Sequence, residues 1–232
     1  MKIKRVVRYS EATLGFYFSD VVVDDLVVDI ARFSEFVRNE WRDVIEVVPC
    51  STSLFVEFSL LKNSVVEMER GIYDLLGKFL SEQRVDRARA KKLIELPVYY
   101  HPEVAPDLMM LAEAKEMSVD EVVRMHSEVE YSVASLGFAP GFAYLSGLNP
   151  ELATPRMSAP KVVAKGSLGI AGEQTAVYPR ESPGGWVIVG NCPVDLFDYG
   201  SDPITEFEVG ARVRFSSVSR REFIAMGGLV GK

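Results

Sequence analysis

Nine of the 17 glycines in this 232-residue chain fall between Gly137 and Gly190, a stretch with only seven charged residues. The seven are Glu151, Arg156, Lys161, Lys165, Glu173, Arg180 and Glu181. Glycine-rich corners separate short β-prone pieces: Ser167–Ala171, Thr175–Tyr178 and Trp186–Val189, then Arg212–Val218 and Glu222–Met226. Long helices cannot propagate through such punctuation. Many short strands with Gly and Pro at their ends predict a closed or nearly closed β-barrel.

The first part, residues 1–95, has a different texture. Thr13–Phe18, Ile45–Val48 and Leu54–Leu60 read as strands. Leu26, Ile30, Phe33, Val37 and Trp41 recur at helical spacing, as do Val65, Met68, Ile72, Leu75, Leu76 and Phe79. That order predicts a small ferredoxin-like α+β sandwich with its helices on one face of a sheet. Residues 96–232 form the second domain. It opens with a strand at Leu96–Tyr100, followed by two helices, one started by the capping box Ser118-Val119-Asp120-Glu121. The second of these helices carries Val119, Val122, Val123 and His126 on one face. Arg84, Arg87, Arg89, Lys91 and Lys92 make a basic run, read as a solvated helix end.

Composition narrows the classes of function. The net charge of -7 argues against a phosphate-backbone partner, so nucleic acid is set aside. No run approaches the roughly 18 apolar residues of a membrane span, since Asp24, Asp25 and Asp29 interrupt the most apolar early segment. Cys50 and Cys192 stand far apart without a CxxC pattern, which points to a reduced, cytoplasmic compartment while leaving a disulfide between them open. There is no GxxxxGK[ST] loop, HExxH or Gly-x-Ser-x-Gly motif. Two histidines, His101 and His126, are too few for a histidine-rich zinc site, and no metal is expected.

What remains is a glycine–proline constellation: Gly137-Phe138-Ala139-Pro140-Gly141-Phe142-Ala143-Tyr144-Leu145, then Gly166–Gln174, Tyr178-Pro179 and Ser182-Pro183-Gly184-Gly185-Trp186. Such loops either build an apolar-walled pocket with oriented N–H groups or make tight barrel corners plugged by aromatics. His126 has two readings as well. It is a core residue with satisfied hydrogen bonds, or a proton-transfer group close to the Gly137 loop.

These blocks, together with Leu152-Ala-Thr-Pro-Arg156, closely resemble the KipI family, also called the 5-oxoprolinase B-subunit or allophanate hydrolase subunit 1 family. The likeness is dense from about His126 to Asp198 and collinear before that. It implies a cyclophilin-like β-barrel after the N-terminal α+β domain. It also implies partners, a KipA-like subunit and a LamB/YcsF-like subunit, in an assembly that opens the lactam 5-oxoproline to glutamate. ATP would be used by that complex and not bound by this chain alone. The resemblance also admits a carboxyltransferase-type role in a urea carboxylase or allophanate hydrolase system, and a regulator of a sporulation-type histidine kinase. A cyclophilin-like prolyl isomerase would rest on fold analogy alone.

In the lactam-opening reading, His126 or Glu130 serves as base, while Gln174 and glycine amides stabilise the oxyanion. Arg156 holds a carboxylate or phosphate. Tyr178 and Trp186 wall a pocket bounded by Gly141, Gly172, Gly184 and Gly185. Two positions depart from the family pattern: Lys161 and Asn191 stand where arginine is usual. If either arginine binds an anionic group of the substrate, an amide at 191 does not replace its bidentate charge.

Overall fold

Side-chain alternation in the first strands decides which way the N-terminal sheet faces. The computed structural model describes residues 1–82 and 93–230. Its chain divides into two units, Met1–Lys91 and Lys92–Lys232. In the first, strands β1 (Arg5–Arg8), β2 (Thr13–Tyr17), β3 (Val44–Pro49) and β4 (Ser53–Phe58) form an antiparallel sheet in the order β1-β2-β4-β3. Leu14 and Phe16 of β2 and Leu54, Val56 and Phe58 of β4 point to one side and are buried. Helix α1 (Asp24–Glu40) meets that side with Ile30, Phe33 and Val37, and helix α2 (Val65–Glu82) with Met68, Ile72, Leu76 and Phe79. The order β2-β4-β3 with its two helices is the ferredoxin-like arrangement. Its usual last strand, beside β2, is replaced by β1 from the start of the chain.

The second unit is a seven-stranded sheet that curls almost shut. Its strands are β5 (Leu93–Val98), β6 (Glu130–Leu136), β7 (Ala143–Ser146), β9 (Ser167–Ala171), β10 (Gln174–Val177), β12 (Val187–Asn191) and β13 (Arg212–Ser217). Their order is β12-β9-β10-β7-β6-β13-β5. The two ends meet where Tyr99 N–H donates to Asn191 O (2.9 Å) and Asn191 N–H to Tyr99 O (3.0 Å). A separate two-stranded antiparallel sheet, β8 (Lys161–Val163) with β11 (Ser182–Gly184), lies outside this barrel sheet. Inward residues such as Val133, Leu145, Leu168, Ile170, Val187 and Phe215 fill the interior. Helices α3 (Leu108–Ala114) and α4 (Val119–Ser127) add Leu108, Leu111 and Val122 to that core.

Several expectations change. Strand β5 begins at Leu93, so the division expected between residues 95 and 96 falls inside a strand. Glu222–Met226, read as a strand, belongs to helix α5 (Arg220–Ala225), because Ser219 and Glu222 form a complete capping box. Cys50 and Cys192 are both free, and burial pushes the Cys192 thiol up to about 11, which leaves it inert at neutral pH. The basic run from Arg84 to Lys92 lies outside the described residues.

Candidate functional site

Adjacent residues of a strand point to opposite faces, and on β10 that rule separates the expected site into two places. Thr175 pairs with Ile170 and Leu145 and faces the barrel interior, where it meets His126. Gln174, one residue earlier, pairs with Ala171 and faces outward, as do Ala176 and Tyr178. His126 and Gln174 therefore cannot act on one substrate atom.

His126 is fully buried in the last turn of α4. Its hydrogen bonds form a closed chain. Thr175 Oγ1 donates to Gly169 O (2.9 Å), so it accepts from His126 Nε2 (3.0 Å). That leaves Nδ1 as acceptor from the Tyr100 hydroxyl at 2.9 Å. Tyr131 donates from its hydroxyl to the His126 carbonyl at 2.7 Å. Burial pushes the imidazole down to about 3, so it is neutral at physiological pH with both nitrogens engaged. The expected base thus lies inside the core, with no exposed surface and both ring nitrogens hydrogen-bonded. Glu130, the other expected base, lies elsewhere. It sits at the far end of β6 from the Gly137 loop, roughly 20 Å along the strand, and holds Arg212 (2.7 Å) and Arg214.

The outward residues build an aromatic nest. Phe142 and Tyr178 lie 5.5 Å apart, Phe142 and Trp186 5.8 Å, and Phe142 and Tyr144 4.8 Å, mostly edge to face. Phe142, Tyr178 and Trp186 are nearly inaccessible, whereas Tyr144 is half-buried and Phe138 is exposed. The loop that delivers Phe142 turns at Pro140-Gly141, with Gly141 at φ +79° and Phe142 N–H donating to Ala139 O (3.0 Å). Proline second and a positive-φ glycine third is the type II pattern. Gly184 answers a close approach, since a Cβ there would lie 2.4 Å from the Tyr178 hydroxyl.

A strap crosses this face. Thr154 exchanges two backbone hydrogen bonds with Gly172 (3.1 and 2.6 Å), and Met157 N–H donates to Gly185 O (2.7 Å). Arg156 lies between those anchors, exposed and, among the described residues, without a carboxylate partner. Its charge is felt at Tyr178. Burial pushes that phenol up, while the Trp186 N–H and the Arg156 guanidinium act against the rise. Arg156, Gly172, Tyr178, Gly185 and Trp186 are thus brought to one region, with half-buried Gln174 on the same face of β10 as Tyr178. Among the glycine amides, that of Gly172 is already taken by Thr154 O. Gly141 stands against Phe197, where a Cβ would come within 2.8 Å, so its part is to hold the loop.

Sequence reasoning missed the support beneath the nest. Asp107, buried before α3, accepts from Lys161 Nζ (2.6 and 2.7 Å) and from Ile188 N–H (2.8 Å). Lys161 pairs with Gly184 in the β8–β11 pair of strands, so this ion pair ties that small sheet to the barrel. Lys161 is thus a tether. Asn191, the other departure, is also internal: its Nδ2 donates to Lys165 O (3.0 Å) beside the barrel seam. A separate hollow of about 350 Å³ in the first unit, lined by Trp41, Gly71 and Asp74, holds none of the glycine–proline blocks. No group of His, Cys, Asp and Glu suited to a metal occurs among the described residues. No helix among them is long and apolar enough to cross a membrane.

Comparison with known proteins agrees with this architecture. The family described as Carboxyltransferase domain, subdomain C and D, matches residues 4–207. The 5-oxoprolinase B-subunit of Bacillus subtilis (strain 168) is 35% identical over 192 residues, covering 78% of each chain. That of Escherichia coli O157:H7 is 45% identical over 125 residues, covering 53% of this chain and 57% of its own. A conserved protein of Pyrococcus horikoshii has a similar structure (TM-score 0.55, 33% identity, 94% of this chain and 100% of that one). Kluyveromyces lactis urea carboxylase shares the fold at 17% identity and TM-score 0.73, over 95% of this chain but only 22% of its own. A further similar structure, at TM-score 0.76 and 26% identity, is matched over only 40% of its length. With the family model spanning residues 4–207 and the Bacillus subtilis relative covered over 78% of its length, the chain belongs to the family of the carboxyltransferase domain, subdomains C and D.

Proposed function

We propose that this chain is the B-type component of a multi-subunit, ATP-dependent 5-oxoprolinase, which opens 5-oxo-L-proline to L-glutamate. A KipA-like and a LamB/YcsF-like subunit complete the assembly. The curated relatives, named as the B-subunit of 5-oxoprolinase, support the activity. The observation that carries the assignment of the site is Arg156, a guanidinium without a carboxylate partner among the described residues, beside a nest of aromatic rings.

5-Oxoproline has a flat lactam ring and one carboxylate. Arg156 pairs with that carboxylate through two parallel N–H donors. The ring lies against the accessible edge of half-buried Tyr144, with Phe142, Tyr178 and Trp186 packed behind it as a rigid apolar backing. Gln174 complements the lactam, its NH₂ donating to the carbonyl and its carbonyl accepting from the ring N–H. An amide carbonyl resists water because resonance makes it a poor electrophile, so opening needs an activated oxygen and a directed water.

ATP supplies the activation in the complex, by making the carbonyl oxygen a leaving group. The described residues do not fit a nucleotide. At the starts of α2, α4 and α5 the amides of Ser64, Ser118 and Ser219 donate to the chain's own Glu67, Glu121 and Glu222, whose carboxylates repel phosphate from these helix ends. With His126 in the core and Glu130 at the far end of β6, the base comes from a partner subunit. Reconstitution tests the reading. The isolated chain should release no glutamate from 5-oxoproline, whereas the complex with both partners should release it only with ATP. A complex that leaves 5-oxoproline untouched rejects the substrate, and turnover by the isolated chain rejects the shared site.

A further inference from the structure

Phe138 combines two properties that a structural aromatic ring avoids. Its φ is +69°, a left-handed conformation that a bulky side chain rarely adopts, and its ring is 56% exposed. Ala139 N–H donates to Gly137 O (2.8 Å), which makes Phe138 the central residue of a γ-turn of the rare, strained kind. The same loop has glycine at Gly141, where φ is also positive. Burial does not account for a phenylalanine at 138, since Phe142 beneath it already fills the core at 2% exposed. The ring stands edge to face on Phe142 (5.0 Å) and on Tyr178 (6.0 Å), the tyrosine whose phenol feels Arg156.

We propose that Phe138 is a substrate-contacting residue, an outer wall of the nest held at its mouth by the strained turn, which closes on the flat face of the lactam ring. The proposal rests on the reading of the nest as the lactam site. Strained backbone persists where the surrounding structure holds it, and it clusters at ligand clamps. An apolar ring carried by such a turn, with two aromatic supports behind it and an exposed face, suits a small flat ligand whose carboxylate is held by Arg156.

The test uses the reconstituted complex and the melting curve of the chain, with Phe138→Ala, Phe138→Gly, Phe138→Tyr and Arg156→Gln side by side. Removing the ring should raise KM for 5-oxoproline by about tenfold in both the Ala and Gly variants and leave kcat within about threefold, as for lost ground-state contact. Phe138→Tyr should restore KM to within about twofold. Phe138→Gly should melt above Phe138→Ala, because glycine accepts the left-handed φ. If Arg156→Gln raises KM while the Ala and Gly variants leave it unchanged, Phe138 is only a plug and the proposal fails alone. If all three leave KM unchanged, the nest is not the lactam site and both readings fall. An alanine variant melting at or above the glycine variant removes the strained turn from the account.

Discussion

The inside and the outside of one strand, β10, have opposite chemistry. Inward, Thr175 joins a hydrogen-bond chain in which every donor and acceptor of His126 has a partner. Outward, Gln174 and Arg156 have no side-chain hydrogen-bond or carboxylate partner among the described residues, and Arg156 lies close enough to the aromatic nest for its charge to act on Tyr178. A polar group that is buried and satisfied is scaffold. A polar group left unsatisfied at a shaped surface is available to a ligand. The two faces reverse the roles that residue type alone suggests, since histidine is the usual proton-transfer group and glutamine seldom is.

The strongest way to break this comparison is to remove the interior histidine. His126→Ala leaves the Tyr100 hydroxyl and Thr175 unpaired beside a new cavity, and should cost about 2–4 kcal/mol of stability. Urea denaturation of the chain reads that loss. A change under about 0.5 kcal/mol would mean that the buried chain of hydrogen bonds does not hold the barrel.

A smaller effect sharpens the same point through pH. The imidazole, pushed down to about 3 in the folded chain, binds a proton near 6.5 once unfolded. Between those values the unfolded state holds more protons, so stability rises with pH, is complete above about 6.5 and is lost as pH falls. Tyr100 and Tyr131, which face the ring, are both held above the ordinary phenol value and do not titrate in this window. The wild type should lose up to about 1.4 kcal/mol per pH unit more than His126→Gln between pH 6 and 5. Parallel curves for the two proteins would show that the histidine is not buried neutral.

Much of the fold was legible because its causes are local. Ile30, Phe33 and Val37 mark one face of α1, and Ser118 with Glu121 starts α4 as the sequence pattern requires. The same capping box at Ser219 and Glu222 sets a helix over the β-prone Phe223 and Ile224, because its local bonds hold the first turn. The site was legible in its residue types and not in its faces. Gln174 and Thr175 are neighbours in sequence, and only the pairing of β10 with β9 and β7 says which of them faces the core. The Asp107–Lys161 tether joins residues 54 apart, so no local pattern announces it. The strained turn at Phe138 is likewise set by the two hydrogen-bonded turns of its loop, not by any preference of phenylalanine.

The measurement that bears most directly on the outward site compares Arg156→Gln with His126→Ala in the reconstituted complex, as glutamate released per folded molecule. Arg156→Gln should melt like the wild type and raise KM for 5-oxoproline on the order of 10–100-fold, the loss of one charge-assisted contact. His126→Ala should melt well below the wild type and keep kcat/KM within about threefold. The reverse pattern, with full activity in the arginine variant and a collapse of kcat in a well-folded histidine variant, would contradict the account and return the chemistry to the barrel interior.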